Sequence, residues 1–298
     1  MRFAWITESL AQSPRPRVED LDYVAELFDA VVVLLSHSEV GREYISELER
    51  RGLRVLHKPT LDFHPVELFD LVEAVLFIES VVSSGGRVLV HCAGGVGRSS
   101  IVTTGYLHYT GVDLYDSVVH VRSRVPGALE VPWQHLVLED FKDLLGVLGR
   151  DKLRVYVEAL RGSGLGERGA RHLFKVFQLV AELTRSLLVS ERREHLFSAL
   201  LHAHYEELRS KLAGVLGLRV ASSESPLVAL AHALDYDESS RVVVVVVDDT
   251  DPACAEVTLL CDEPCRDVVS GAEKYRDLAE RAVGRRLIFD YADYANYV

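Results

Sequence analysis

A glycine-rich segment in the first half of the chain carries a cysteine and an arginine at a spacing suited to phosphate chemistry. Residues 91 to 100 read HCAGGVGRSS. Glycines let the main chain curl so that several backbone N–H groups point inward and hold an anion. An arginine side chain can add a two-pronged contact to phosphoryl oxygens. The segment therefore predicts a phosphate-binding loop formed by Ala93, Gly94, Gly95, Val96, Gly97 and Arg98.

Cys92 is the predicted nucleophile. The run RVLVH before it is typical of a buried strand, and a helix is expected to begin near Ser99. The positive end of that helix and the Arg98 cation both favour the thiolate form of a nearby cysteine. Attack on a phosphate ester would give a cysteinyl-phosphate intermediate. Ser99 would then assist departure of the sulfur when water attacks.

A leaving oxygen needs a proton, and Asp62 in the segment TLDFHP is the predicted general acid. Asp62 lies on a predicted loop, 30 residues before Cys92. An aspartate before Phe and Pro is also typical of an ordinary turn that caps the next helix. His91, at the strand end, is predicted to support the loop from behind rather than to bind a ligand. This chemistry requires neither a metal nor a cofactor, and we predict none.

The pattern His-Cys-x-x-Gly-x-x-Arg-Ser resembles the signature of the protein tyrosine phosphatase superfamily. The Asp-Phe-x-Pro loop and its distance from Cys92 are similar to the compact, atypical dual-specificity branch. The resemblance covers about half of the chain. It implies Cys92 as nucleophile, Arg98 as phosphate clamp, Asp62 as general acid and Ser99 as leaving-group helper. The expected substrates are phosphorylated proteins, carrying phosphotyrosine and also phosphoserine or phosphothreonine.

Residues 126–130 and Gln134 resemble a downstream loop of this family that flanks the pocket and helps to place water. The family usually has Arg before the Pro of this loop, whereas this chain has Val125, with Arg124 as the nearest basic residue. Gln134 equally fits the first turn of a helix that begins at Pro132.

Other branches of the superfamily suggest alternative functions for this chain. A tyrosine-specific Asn-Arg-Tyr loop is absent from the sequence, which implies a shallow pocket. Phosphoinositide phosphatases place lysines where this chain has Ala93 and Val96, which disfavours lipid headgroups. An RNA 5′-triphosphatase of the same superfamily is the second hypothesis, although that branch generally lacks the general acid. A non-catalytic phosphate-binding module is the third.

The elements around these residues predict an α/β fold with a parallel-rich sheet flanked by helices. Four strands are predicted, at Phe3–Thr7, Ala30–Leu35, Leu53–His57 and Arg87–His91. Six helices are predicted, at Val18–Phe28, Gly41–Arg51, Val66–Val82, Ser99–Tyr109, Leu114–Ser123 and Pro132–Leu148. We assign residues 1–148 to this catalytic domain.

Residues 149–298 are predicted to form a second, α+β domain, helical first and then β-rich. Helices are expected near 151–160, 167–189, 191–216 and 267–283, and strands at Arg241–Val247, Glu256–Cys261 and Arg286–Tyr291. The basic residues of 166–210, including His172 and Lys175, alternate with acids and are interpreted as solvated helix faces. Cys254, Cys261 and Cys265 are interpreted as buried free thiols, with a disulfide or zinc as alternatives. This domain would bind a partner or mediate oligomerisation.

Composition restricts the function classes further. The formal net charge of −12 disfavours bulk binding to nucleic acid or to an anionic membrane. The apolar run Val242–Val247, which no other run exceeds in length, is far shorter than the roughly 20 residues of a membrane span. The N-terminus does not resemble a secretory signal, so we expect a cytoplasmic location. Asn and Gln are scarce, which favours a thermophilic source; a melting temperature near about 50 °C would contradict that hypothesis.

Overall fold

The computed structural model describes residues 3–202, 206–218 and 225–297. The chain divides into two compact units, Met1–Lys142 and Asp143–Val298. The division lies within the helix α6, Pro132–Arg161, as does the domain boundary predicted at residue 148. Gly149 interrupts this helix with φ 70° and ψ 165°, a conformation that glycine adopts readily.

The first unit is built on a five-stranded sheet. Its strands are β1 Ala4–Trp5, β2 Leu10–Ser13, β3 Ala30–Leu35, β4 Arg54–Thr60 and β5 Val88–His91. They lie in the order β1-β2-β5-β3-β4, and every pair is parallel except β1 with β2. The three inner strands, β2, β5 and β3, are buried along their whole length, as expected of strands covered by helices on both faces. The predicted parallel-rich α/β fold is confirmed.

Five helices precede α6 in this unit: α1 Leu21–Leu27, α2 Arg42–Arg50, α3 Leu68–Val82, α4 Arg98–Tyr109 and α5 Leu114–Arg124. The N-terminal part of the predicted helix Val18–Phe28 is a 3₁₀ turn, Val18–Asp20. The strand β2 was not predicted, because its four residues LAQS include polar side chains and are too few to show alternation. This short strand is nevertheless important, since it pairs with β5 beside the Cys92 loop.

The described residues of the second unit form six further helices and a three-stranded sheet. The helices are α7 Gly166–Ser186, α8 Arg192–Leu200, α9 Glu206–Leu216, α10 Pro226–Leu234, α11 Arg266–Ala272 and α12 Arg276–Val283. The strands are β6 Val242–Asp248, β7 Cys254–Cys261 and β8 Arg286–Asp293, with β7 central, antiparallel to β6 and parallel to β8. The predicted second α+β region is confirmed.

Three predictions for this unit are wrong in detail. The expected helix over 191–216 is two helices, because α8 ends at Leu200 and α9 begins at Glu206; residues 203–205 lie outside the described residues. The helix over 267–283 is interrupted by a 3₁₀ turn at Glu273–Tyr275. His172 and Lys175 are buried rather than solvated, with 2% and 6% of their surfaces exposed.

Cys261 and Cys265 form a disulfide that joins the end of β7 to the start of α11. The interpretation of these two residues as free thiols is therefore wrong. The disulfide that the sequence left as an alternative is the one that forms, between cysteines four positions apart. Cys254 is a free, half-buried cysteine. Within the described ranges, no helix is both long and apolar enough to cross a membrane.

Candidate active site

The Cys92 loop connects the buried strand β5 to the N-terminus of α4. Cys92 is 2% exposed and lies at the base of the loop, whereas Ala93 and Gly94 beside it are exposed. The backbone N–H of Gly95 donates to Cys92 Sγ at 3.2 Å, and Ser99 Oγ lies 3.5 Å from the same sulfur. The sulfur thus lies within reach of an amide donor and of the hydroxyl of Ser99, the residue predicted to assist its departure.

Gly95 has a conformation and surroundings that a larger residue does not tolerate. Its φ is +72°, and a Cβ atom built on it would lie 2.4 Å from the backbone N of Pro14. A side chain at this position would therefore collide with the chain that follows β2. Gly97 is also restricted, because a Cβ there would lie 2.7 Å from Gln134 Nε2. These close approaches account for two of the glycines in the loop.

Gln12 on β2 anchors the loop from behind and was missed by the sequence analysis. Its fully buried side chain donates from Nε2 to the carbonyl of Gly95 at 3.0 Å. The same Nε2 lies 2.9 Å from Ser100 Oγ, and Thr103 Oγ1 donates to Gln12 Oε1 at 2.6 Å. A buried amide with all of these partners is a rigid support. A strand assignment for residues 10–13 would have been the signal that identified it.

Arg98 is 1% exposed, and Glu39 holds one edge of its guanidinium group. Arg98 Nη1 donates to Glu39 Oε2 at 2.6 Å, and Nη2 donates to Oε1 at 2.9 Å. The backbone carbonyl of Thr60 accepts a further hydrogen bond from Nη1 at 2.7 Å. This end-on pairing fixes the plane and direction of the arginine. The hydrogen bond to Arg98 lowers the pKa of Glu39 to about 2, so this carboxylate remains charged.

The other edge of the Arg98 guanidinium is the side that a phosphate can use. In the described part of the chain, Arg98 Nε is buried and has no hydrogen-bond partner. Nη2 also lies 2.9 Å from Asp62 Oδ1. Although burial opposes the charge, the hydrogen bond to Glu39 and the negative charges of Cys92, Asp62 and Glu39 raise the pKa of Arg98. The arginine therefore presents a permanent cation to this side of the loop.

Asp62 reaches the loop from a turn that follows β4. Its side chain is 55% exposed, and its Oδ1 accepts from the N–H of Phe63 at 3.1 Å. Phe63 has a φ of +62°, which is uncommon for a residue with a large side chain. The turn thus directs Asp62 at Arg98, and it brings the predicted general acid and the predicted phosphate clamp together. Both catalytic roles stay predictions.

His91 is completely buried behind the loop. Its Nε2 lies 3.1 Å from Tyr44 Oη, and its Nδ1 lies 3.4 Å from the carbonyl oxygen of Cys92. Burial, with the positive charges of Arg15 and Arg98 nearby, lowers the pKa of His91 to about 3. The imidazole is therefore neutral and contacts Tyr44 and the backbone of Cys92. Its role in supporting the loop stays a prediction.

The downstream loop lies against the Cys92 loop. The N–H of Leu129 donates to the carbonyl of Val96 at 3.2 Å. Arg122, rather than Arg124, holds this segment, because its Nε donates to the carbonyl of Ala128 at 3.1 Å. Gln134 is fully buried beside Gly97, and neither polar atom of its amide has a hydrogen-bond partner among the described residues. Unsatisfied buried amides are costly, which favours a ligand-binding role for this group.

The segment around this site is similar to known phosphatases. A family model described as dual specificity phosphatase, catalytic domain, matches residues 35–139. The Drosophila melanogaster dual specificity protein phosphatase Mpk3 is 39% identical over 80 residues, which are 26% of this chain and 20% of that protein. The Mus musculus dual specificity protein phosphatase 2 is 57% identical over 35 residues, 12% of this chain and 11% of that protein. The resemblance stated from the Cys92 loop is confirmed for this segment.

A solved structure also matches about half of this chain. The crystal structure of Tk-PTP in the active form is 39% identical, with a TM-score of 0.46, and the match covers 47% of this chain and 96% of that one. The chain matches about a fifth or less of the length of the curated relatives.

Proposed function

Since residues 35–139 belong to the dual-specificity branch of the protein tyrosine phosphatase superfamily, we propose that this chain is an active cysteine-dependent protein phosphatase. Its substrates are phosphotyrosine and, in addition, phosphoserine and phosphothreonine in proteins. The observation that carries the proposal is the convergence on one loop of a thiol that receives an amide hydrogen bond, a buried arginine and a carboxylate.

Substrate binding uses groups that already point to one place. The phosphate dianion accepts hydrogen bonds from the amides of residues 93 to 98 and from the Nε and Nη2 edge of Arg98. The dianion replaces Asp62 on Nη2, which releases the Asp62 carboxyl toward the ester oxygen. Glu39 keeps the opposite edge of the guanidinium in place during this exchange.

The reaction proceeds in two displacements. Cys92 Sγ attacks phosphorus, an S–P bond forms, and the P–O bond to the leaving group breaks while protonated Asp62 donates its proton to that oxygen. Water then attacks the cysteinyl-phosphate, Asp62 accepts a proton from the water, and the S–P bond breaks. Ser99 Oγ, at 3.5 Å, donates to the departing sulfur, and the buried Gln134 amide orients the water. The products are the free alcohol or phenol and inorganic phosphate.

Exposed apolar side chains beside Asp62 favour an aryl phosphate. Leu61 and Phe63 flank Asp62 and are 50% and 44% exposed. Surface side chains of this kind can pack against a phenyl ring that carries the phosphate. A site without a deep wall also admits the shorter phosphoserine and phosphothreonine side chains, which explains the dual specificity in this proposal.

The test measures hydrolysis of a small aryl phosphate and of phosphopeptides by the full chain. Cys92→Ser should abolish turnover, whereas Cys254→Ser, at the other free cysteine, should leave it unchanged. Asp62→Asn should lower kcat by about 10²- to 10⁴-fold for alkyl esters, which have poor leaving groups, and much less for an activated aryl ester.

Three results would reject the proposal. Unchanged turnover in Cys92→Ser would exclude the nucleophile. Hydrolysis of 5′-triphosphate RNA that survives Asp62→Asn would identify an RNA triphosphatase instead. Phosphopeptide binding by the wild type without hydrolysis would identify a binding module.

A further inference from the structure

Three histidines from separate segments of the second unit converge on one point. His172 lies on α7, His202 follows α8, and His232 lies on α10. His232 Nδ1 is 3.2 Å from His172 Nε2 and 3.1 Å from His202 Nε2. One ring nitrogen from each residue lies within 4.8 Å of the other two. His172 and His202 are buried, and His232 is half-buried, so the cluster is largely shielded from solvent.

Two of the three nitrogen separations are close to those of a tetrahedral metal site. Two imidazole nitrogens bound to zinc at 2.0–2.1 Å, with a tetrahedral angle between them, lie about 3.3 Å apart. The two short separations in the cluster are 3.2 Å and 3.1 Å, within a few tenths of an ångström of that value. The third pair of ring nitrogens lies within 4.8 Å and must move closer when a metal ion binds.

Asp235 orients the first of the three rings. Its Oδ2 lies 2.8 Å from His172 Nδ1, and its Oδ1 accepts from the N–H of Ser240 at 2.8 Å. The carboxylate occupies the Nδ1 side of the ring, so Nε2 is the nitrogen that faces His232. A carboxylate on the far nitrogen is the arrangement that commonly supports metal-binding histidines.

The three rings bring one nitrogen each to the same place. These nitrogens lie within 4.8 Å of one another, with two separations of 3.2 Å and 3.1 Å. A metal cation at this place would accept a lone pair from each ring.

We propose that the second unit binds a zinc-type divalent transition metal through His172 Nε2, His202 Nε2 and His232 Nδ1. Three protein ligands leave a fourth position for water or a small anion. Imidazole ligands select zinc and neighbouring transition metals rather than magnesium or calcium. The ion links α7, the end of α8 and α10, and it therefore stabilises the helical part of this unit.

The first test uses the metal-free full chain. Titration with zinc should show one bound equivalent, and the same equivalent should remain in Cys92→Ser, which removes the thiol of the first unit. Cobalt should give the intense visible absorption of a tetrahedral site with nitrogen and oxygen ligands. Thermal unfolding should shift to higher temperature when zinc is added. A wild-type chain that binds no equivalent, or one that loses it in Cys92→Ser, overturns the proposal.

The second test assigns the ligands. His232→Ala and His202→Gln should each weaken zinc binding by about 100-fold, and Asp235→Asn by about 10- to 100-fold. His195→Ala is the matched control, since His195 lies in the same unit and contacts Ser225 Oγ at 2.6 Å instead of the cluster. Far-UV circular dichroism of the metal-free variants checks their folding. If both histidine variants fold and bind zinc with wild-type affinity, the ligand assignment is overturned. If a variant does not fold, the zinc titration of the wild-type chain decides the proposal.

Discussion

Glu39→Gln tests whether the carboxylate that holds Arg98 is part of the catalytic apparatus. Glu39 accepts from both terminal nitrogens of Arg98, at 2.6 Å and 2.9 Å, and its Oε2 also accepts from the N–H of Ser36 at 2.9 Å. Glutamine has the same shape but no charge, and its NH₂ group cannot accept a hydrogen bond. One of the two contacts to Arg98 is therefore lost, and the guanidinium can rotate away from the phosphate.

The size of the effect follows from the pKa of Glu39. The pKa decreases from 4.5 to about 2, and the hydrogen bond to Arg98 is the largest cause. This decrease corresponds to about 3 kcal/mol, because one pKa unit corresponds to about 1.36 kcal/mol. The Glu39 side chain is 26% exposed, and solvent screening reduces this value to about 1–2 kcal/mol. If that energy keeps Arg98 in the orientation required by the transition state, kcat/KM falls by about 5- to 30-fold.

The assay is steady-state hydrolysis of an aryl phosphate, together with inhibition by inorganic phosphate. We expect Glu39→Gln to lower kcat/KM and to weaken phosphate inhibition, because both depend on the orientation of Arg98. Glu43→Gln, at an exposed position on α2, is the matched control and should behave as the wild type. Wild-type or higher kcat/KM in Glu39→Gln would show that Glu39 competes with the substrate for Arg98, which would refute this reasoning.

Two further predictions concern stability. Gly95→Ala should lower the free energy of unfolding by about 2 kcal/mol or more, because the φ of Gly95 is +72° and an added Cβ would lie 2.4 Å from a backbone atom. Gly94→Ala is the control and should change the free energy of unfolding by less than about 0.5 kcal/mol, because the space around its Cβ is open. Equal losses for the two variants in denaturant-induced unfolding would contradict the prediction. The pKa of His91 falls from 6.5 to about 3 on folding, so the unfolded chain takes up a proton that the folded chain does not. The contribution of His91 to the free energy of unfolding therefore has its full value above pH 6.5. It decreases by about 1.4 kcal/mol for each pH unit between pH 6.5 and 3. Urea unfolding should show a weaker pH dependence in His91→Gln than in the exposed control His37→Gln, and identical pH profiles would exclude this role.

The central part of the candidate site could be predicted from the sequence because it is local. Cys92, the glycines and Arg98 lie within seven consecutive residues, between a β-branched run and a helix. Strand, loop and helix N-terminus are determined by neighbouring residues, so their order along the chain is enough to indicate an anion site. The alternating strands and amphipathic helices likewise predict the parallel-rich sheet, since their periodicity is a property of the sequence.

Other residues of the site were beyond sequence reasoning because they are distant along the chain. Glu39 is 59 positions from Arg98, and Gln12 is 83 positions from Gly95. Each is an ordinary polar residue, and neither lies in a motif that predicts its contact. Only the sheet order, which places β2 and β3 on either side of β5, brings these residues to the loop.

The histidine cluster of the second unit could be predicted from the sequence even less well. His172, His202 and His232 are 30 positions apart from one to the next, a spacing that matches no short metal motif. In the sequence, His172 and its basic neighbours have the pattern of a solvated helix, yet the fold buries His172 against Asp235. A one-dimensional pattern shows which face of a helix is polar, whereas the packing of α7, α8 and α10 decides which polar groups meet. The sequence thus determined the local chemistry of the Cys92 loop, and tertiary structure alone decided its distant supports and the histidine cluster, because contacts between remote residues depend on how the elements pack.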